Sequence, residues 1–302
     1  MRKGIGFDSA LTAIAPAVWG STYLVATELL PPGRPLLASA VRALPAGLVL
    51  VAVGRTLPRG AWWWRALVLG TLNIGAFFYL LFVAAYHLPG GVAALVVATQ
   101  PMLVLGLSAV LLKSEVRPVQ VGACALGAAG VAMLVLTPRA GVDLIGVLSG
   151  LGGAACMASG IVLTKRWGRP DGVNLLTFTG WQLAVGGLLL LPMTLLVEGL
   201  PQDVSAENLA GFAYLSLIGA LLAYALWFRG IERLPAVAVS FLGFASPLAA
   251  AALGYAVLGQ ELSPLQLLGA LAVIASVVLA QPRQAPAPQP PEPASRPSAP
   301  TR

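Results

Sequence analysis

The sequence predicts an all-α polytopic membrane protein, with ten transmembrane helices forming two inverted five-helix repeats around a central cavity. Three observations carry this expectation. Hydrophobic residues make up 58% of the 302 and charged residues 10%, against roughly 45–50% and 25% in soluble domains. Apolar runs long enough to cross a bilayer recur ten times, separated by Pro, Gly and charges. The chain also repeats itself on a shift of 146 residues. Leu88-Pro89 falls on Leu234-Pro235, Pro101 on Pro247, Glu115 on Glu261, Pro118 on Pro264 and Gln120 on Gln266, without a gap.

The elements follow in order. Residues 1–8 form a short cytoplasmic N-terminus. Met1-Arg2-Lys3 before an apolar run looks like a signal peptide, but the run continues to Leu29 and more spans follow, so it reads as a retained first helix over 9–29. The second span, 36–54, holds Arg42. The third, 62–86, opens with Trp62-Trp63-Trp64 between Arg59 and Arg65, an interfacial belt. Spans at 89–112 and 117–136 complete the first unit, 9–136. The second unit, 144–281, contains spans at 144–166, 172–197, 207–228, 235–258 and 264–281. Gly146, Gly150, Ala154 and Ala158 recur every four residues on its first span and let a neighbouring helix, or a second copy, approach closely. Residues 282–302, rich in Pro, Ala, Gln and Ser, cannot build a core and read as a disordered tail.

Charge sets the orientation. With the N-terminus inside, 15 of the 18 Lys and Arg face the cytoplasm. Only Arg34 and Arg139 fall outside, and Arg42 lies within a span. This bias predicts both termini inside and residence in the cell inner membrane. Five spans per unit is an odd number, so the second unit enters from the opposite side. That inverted plan is common in secondary transporters. The cations sit at the ends of apolar runs, so a net charge of +7 points to membrane orientation rather than nucleic acid. Cys124 and Cys156 lie in apolar stretches and suggest neither disulfide nor metal. His87 is the single histidine, in an external loop, and zinc-pair, nucleophile-elbow and phosphate-loop motifs are absent. The expectation is therefore no enzyme, no cofactor, a monomer or weak homodimer, and a lipid bilayer and a small molecule as partners.

The candidate path residues are those that are costly or unusual at membrane depth. Arg42 sits about 10 Å below the outer end of its span at 1.5 Å per residue. Its guanidinium fits a carboxylate as a fork, or alternatively snorkels or satisfies backbone carbonyls near Pro45. Pro101 and Pro247 are hinge candidates that free the carbonyls of Val97 and Gly243, with Gln100 and Ser246 as adjoining polar groups. Trp19, Tyr23, Phe78, Tyr79, Trp181, Tyr224, Trp227 and Phe244 fall deep in spans, and Phe78 and Tyr224 are repeat equivalents. Rings with a few polar tips suit bulky neutral side chains. No Asp or Glu lies near the middle of a span, which favours a facilitator over a proton-coupled carrier.

The chain resembles the EamA-type members of the drug/metabolite transporter superfamily. The resemblance covers almost all of 9–281. It rests on the two halves of five spans, Trp19-Gly20-Ser21, Arg42, and the twice-written corner of Leu-Pro, a Pro twelve positions on, and Glu-x-x-Pro-x-Gln. It implies a basket of helices around a central cavity, spans five and ten at the periphery, and export of amino acids or related small metabolites. The amino-acid exporters, including those for aromatic amino acids, look most similar. The competing expectations are an exporter of other metabolites or drugs, and a non-transporting scaffold or lipid-handling protein.

Overall fold

A computed structural model of the protein describes residues 2–88, 96–135, 143–201, 203–259 and 263–280. The described residues are helices joined by short loops. α1 spans Arg2–Glu28, α2 Pro35–Gly54, α4 Gln100–Leu111, α5 Pro118–Val135, α6 Leu144–Trp167 and α10 Pro264–Ala280. α3 runs over 62–87, with a π-helical segment, Thr71–Gly75, inside it. α7 comprises Leu175–Met193 and a π-helical continuation, Thr194–Glu198. α8 covers Ala206–Arg233 around a second internal π segment, Leu217–Leu222. α9 is broken into Ala236–Leu242 and Ala245–Leu258. Six of these, α2, α3, α6, α7, α8 and α9, are long and apolar enough to cross a membrane, and α4, α5 and α10 are shorter apolar helices.

Several boundaries differ from the sequence expectation. α1 begins at Arg2 rather than residue 9, because its first turns are anchored: Asp8 pairs with Arg229 at 2.6 Å and Arg233 at 3.7 Å. α8 continues past residue 228 to Arg233, where Lys165 donates to the terminal carbonyls of Ile231 (2.9 Å) and Glu232 (2.8 Å). His87 is the last residue of α3 rather than a loop residue, and its Nδ1 lies 3.5 Å from Asp143. Pro89, the 136–142 connection, Glu261 and the 282–302 tail lie outside the described residues.

Packing follows a paired pattern. α1 packs on α8 and on the second half of α9, while α6 packs on α3 and α4. α2 lies along α7, and α5 along α10. The α2–α7 seam is glycine-built: a Cβ on Gly187 would sit 2.6 Å from Leu44 Cα, and one on Gly180 2.7 Å from Leu50 Cβ. The backbones therefore approach as closely as small-residue membrane interfaces allow. Glu198, at the end of α7, closes the same seam. Its carboxylate accepts from Leu36 N–H (2.7 Å) and Leu37 N–H (2.8 Å) at the start of α2, where a negative charge meets unpaired helix donors. Arg34 donates back to the carbonyls of Glu198 and Gly199 at 2.9 and 2.8 Å. The outer surface is apolar, with Leu196, Val110, Val53 and Leu144 each more than two-thirds exposed. A soluble protein would not leave such a surface wet, but lipid covers it.

Asp8, Lys165, Glu232 and Arg233 thus mark one end of the bundle, and Arg34, Glu198, His87 and Asp143 the other.

Candidate functional site

The site is organised by the π segment of α8. In a regular helix Ala223 N–H would bond to the Gly219 carbonyl. Here it goes to Ile218 and Ala220, and the Gly219 carbonyl meets two side-chain donors instead. Trp19 Nε1 reaches it at 3.1 Å and Arg42 Nη2 at 2.9 Å. One backbone oxygen so ties α1, α2 and α8 together. Segments of this kind recur at functional sites because they redirect backbone polarity.

The Trp19-Gly20-Ser21 run has a physical reading at each position. Trp19 supplies the donor. Gly20 lies flush against the carbonyl of Ser246 on α9, 3.0 Å or less from three atoms of that helix for any added Cβ. Ser21 Oγ donates to the Val18 carbonyl (2.7 Å) and pairs with the Tyr214 hydroxyl at 2.6 Å.

Arg42 is the one buried charged side chain among the described residues, at 7% exposure. Besides the Gly219 carbonyl, its guanidinium lies 4.9 Å from the centroid of the Phe78 ring, an attraction of about 0.5–2 kcal/mol. Arg42 also lines a cavity of about 150 Å³ that opens at the Arg34 end and is walled by Thr22, Ser39, Phe82 and Leu215. At the other end a larger cavity of about 750 Å³ is lined by Ser108, Glu115, Arg117, Lys165, Val237 and Ala280. Between these, among the described residues, lies a cluster of packed aromatic rings. Trp19 stacks on Tyr224 (4.9 Å) and Trp227 (5.1 Å), Tyr224 meets Phe78 (6.2 Å) and Phe228 (5.9 Å), and Phe78, Tyr224, Trp227 and Phe228 are each at most 2% exposed. None of these rings lines either cavity. Among the described residues, these rings fill the space between α1, α3 and α8. The small cavity that reaches Arg42 is below the roughly 300–1,000 Å³ of a typical ligand pocket.

The structure brings Trp19, Arg42, Phe78 and Tyr224 together and disperses the other candidates. Tyr79 is 36% exposed and takes no part in the ring cluster. Trp181 belongs to a separate group with Trp62 and Phe178, its Nε1 donating to the Thr56 carbonyl at 2.8 Å. Phe244 pairs with Phe241 and lies against Gly127 of α5. Gln100 is half-buried, its side chain makes no hydrogen bond among the described residues, and it lines neither cavity. The Tyr23 side chain lies outside the described residues. The Trp62–Trp64 belt gathers around Arg65, whose guanidinium lies 5.2 Å from Trp62, 5.7 Å from Trp64 and 5.6 Å from Trp167.

Pro101 and Pro247 each follow a helix break, at 98–99 and 243–244. A proline cannot donate to the carbonyl four residues back, and tighter turns absorb the defect. Thr99 N–H bonds to Val96, and Phe244 N–H to Phe241. The Gly243 carbonyl, expected to stand free for a ligand, instead accepts Ser246 N–H at 3.1 Å. The Thr99 hydroxyl is likewise turned onto its own helix, donating to the Val96 carbonyl at 2.7 Å.

One polar cluster was missed. Asn73, in the π segment of α3, donates from Nδ2 to Gln182 Oε1 of α7 at 2.8 Å and to Thr164 Oγ1 of α6 at 3.3 Å. All three are at most 3% exposed. Among the described residues, Asn73 Oδ1 and Gln182 Nε2 have no hydrogen-bond partner. Leaving a buried polar atom unsatisfied costs about 1–3 kcal/mol, so this is an expensive place for two amides. The signal in sequence is an Asn and a Gln inside otherwise apolar runs, with no proline beside either to mark it as Pro101 marks Gln100.

The family model described as the EamA-like transporter family matches the chain twice, over residues 9–136 and 144–280. Protein PecM of Dickeya dadantii is 49% identical over 267 residues, covering 88% of this chain and 90% of PecM. A probable amino-acid metabolite efflux pump of Salmonella typhimurium is 24% identical over 291 residues, covering 90% and 94% of the two chains. A solved crystal structure superposes with a TM-score of 0.78 over 90% of this chain and 97% of its own, at 21% identity, a likeness of fold. An apolar-surfaced helical bundle, organised in its core by Trp19 and Arg42 and matched along both halves, is a multi-pass membrane protein that belongs to the EamA-like transporter family.

Proposed function

We propose that this protein is a secondary transporter that exports amino acids, favouring neutral and aromatic ones, by alternating access between two inverted five-helix repeats. The observation that carries the reading is Arg42: a buried cation on the floor of a cavity at one end, backed by rings that close the way to a cavity at the other end. The guanidinium of Arg42 is a planar fork of the kind that suits a carboxylate. The neighbouring rings of Phe78, Tyr224 and Trp19 suit an apolar or aromatic side chain once the packing opens. Support for the inverted arrangement comes from pairing. α1 with α8 and α9 corresponds to α6 with α3 and α4, and α2–α7 and α5–α10 are self-paired. This is the pattern two halves related by a two-fold axis in the membrane plane would make.

The Lys165 end is the cytoplasmic one in this reading, because Lys and Arg cluster there, and the membrane is the bacterial inner membrane. Carboxylates are absent from the buried groups among the described residues, which supports a facilitator driven by the cargo's own gradient. The amino-acid class is also in keeping with the efflux pump among the relatives. The test is flux. Purified protein in liposomes, loaded with a panel of labelled amino acids, should release phenylalanine and other neutral members faster than protein-free liposomes. A pH gradient alone should drive no uptake. Release of none of the panel would overturn the cargo assignment, and proton-driven accumulation would overturn the facilitator.

A further inference from the structure

Two polar junctions stand in matching places in the two halves. In the first, Trp19 of α1 and Arg42 of α2 meet Gly219, the third residue of the α8 π segment. In the second, Thr164 of α6 and Gln182 of α7 meet Asn73, the third residue of the α3 π segment. Gly219 is Asn73 shifted by the same 146 residues that relate the repeated corners. Arg42 lies seven residues after Pro35, the start of α2, and Gln182 lies seven after Leu175, the start of α7. Because α2 starts at the Arg34 end and α7 at the Lys165 end, the two sit about 10 Å deep from opposite faces at 1.5 Å per residue.

The junctions differ in state. The first borders the cavity that opens at the Arg34 end. The second lines neither of the two cavities described above, and among the described residues it keeps one unpaired acceptor, Asn73 Oδ1, and one unpaired donor, Gln182 Nε2. Those two atoms are what a second amide–amide bond would use, yet Asn73 Oδ1 is turned onto Gly160 of α6, where only a glycine leaves room. We propose that Asn73 and Gln182 form the floor of the cargo site when the opening at the Lys165 end deepens to reach α3 and α7. There they take the ammonium and carboxylate of a zwitterion on Asn73 Oδ1 and Gln182 Nε2, as counterpart to Arg42 at the Arg34 end. This rests on the alternating-access reading above. It follows from symmetry: when the halves exchange conformations, the α3–α7 junction takes the place at a cavity that the α8–α2 junction has now. The asymmetry of residues then has a consequence. The charged junction grips a carboxylate strongly on one side, and the neutral one binds the same group weakly on the other.

The experiment is sided labelling. In a background with Cys124→Ala and Cys156→Ala, Asn73→Cys and Gln182→Cys are treated in oriented vesicles with a membrane-impermeant thiol reagent, with Ser39→Cys as the Arg34-end control. Cysteine at 73 or 182 should react from the Lys165 side only, at least about fivefold slower under saturating phenylalanine. Failure of both to react from either side, in vesicles where Ser39→Cys reacts, overturns the proposal, and reaction that phenylalanine does not slow overturns its ligand. Where a cysteine variant fails to insert, Asn73→Ser and Gln182→Ser take its place. Half-saturation measured from the Lys165 side should then rise at least about fivefold, and from the Arg34 side stay within about twofold. Equal shifts on both sides overturn it. Absence of flux in the unmutated protein is a failure of the transport reading alone, visible before any variant is made.

Discussion

Two residues that share one carbonyl have separable roles. Trp19 and Arg42 both donate to Gly219, at 3.1 and 2.9 Å, but only Arg42 also faces a cavity. Trp19→Phe removes a neutral hydrogen bond, a net loss of about 0.5–1.5 kcal/mol, and leaves most of the ring packing. It should lower the melting temperature in detergent by a few degrees and leave half-saturation unchanged. Arg42→Lys keeps the charge but loses the fork and the flat face over Phe78, 4.9 Å away. A loss of about 1.5–3 kcal/mol from a charge-assisted contact corresponds to roughly a ten- to hundredfold fall in initial flux at low cargo. Arg42→Gln should fall further while remaining folded. A Lys variant transporting at the original rate would place Arg42 in the scaffold. Arg42 was legible in the sequence because a charge at membrane depth is conspicuous. Asn73 and Gln182 were not, because a neutral amide in an apolar run gives no sign of which helix it will face.

The helices are held by close approach and by their caps. At Gly187 even a methyl would sit 2.6 Å from the backbone of Leu44. Gly187→Ala must push α2 from α7, at the about 1–3 kcal/mol typical of overpacking, and should reduce melting temperature more than Trp19→Phe does. At the start of α6, Asp143 caps the helix by accepting Gly146 N–H at 3.1 Å. That backbone bond holds its carboxyl below the ordinary value of 3.8, with His87 alongside contributing further. A lowered folded-state pKa means the cap's contribution is fully present above the unfolded value and is lost as pH falls through the lowered one. Melting followed from pH 6 to pH 2 should therefore show a loss, setting in below about pH 4, that Asp143→Asn flattens. An unchanged pH profile in that variant would mean the cap contributes nothing. These helix positions were largely readable from apolar runs and punctuation. The π segments and the α9 break were not, since they arise where tertiary partners capture a carbonyl or a proline removes a donor.

At the scale of the molecule, the 146-residue shift first seen in Pro, Glu and Gln also relates the π segments and, within a residue, the helix breaks of α4 and α9. Repetition in sequence has become repetition in backbone irregularity. What the shift did not reveal is the ring packing between α1, α3 and α8, because a string of aromatics does not say whether rings line a space or fill it. Phe78, Tyr224, Trp227 and Phe228 are each at most 2% exposed, so under the proposed alternating access these rings must separate for cargo to pass between them. The α4–α9 seam is where that motion can be stopped. Ser108 of α4 and Val237 of α9 both line the 750 Å³ cavity at the Lys165 end, and α4 packs on the first half of α9. In the transport cycle proposed above, the breaks before Pro101 and Pro247 are the bending points of these two helices. A short bifunctional thiol crosslinker joining Ser108→Cys to Val237→Cys, in the background without Cys124 and Cys156, spans that cavity and fixes its width. Flux should fall at least about tenfold and recover on cleavage of the linker, with each single variant treated alone as the control. Flux that continues through the crosslinked protein would mean the two helices need not separate. Rocking of the halves about this seam would then be the wrong account of how the ring packing opens.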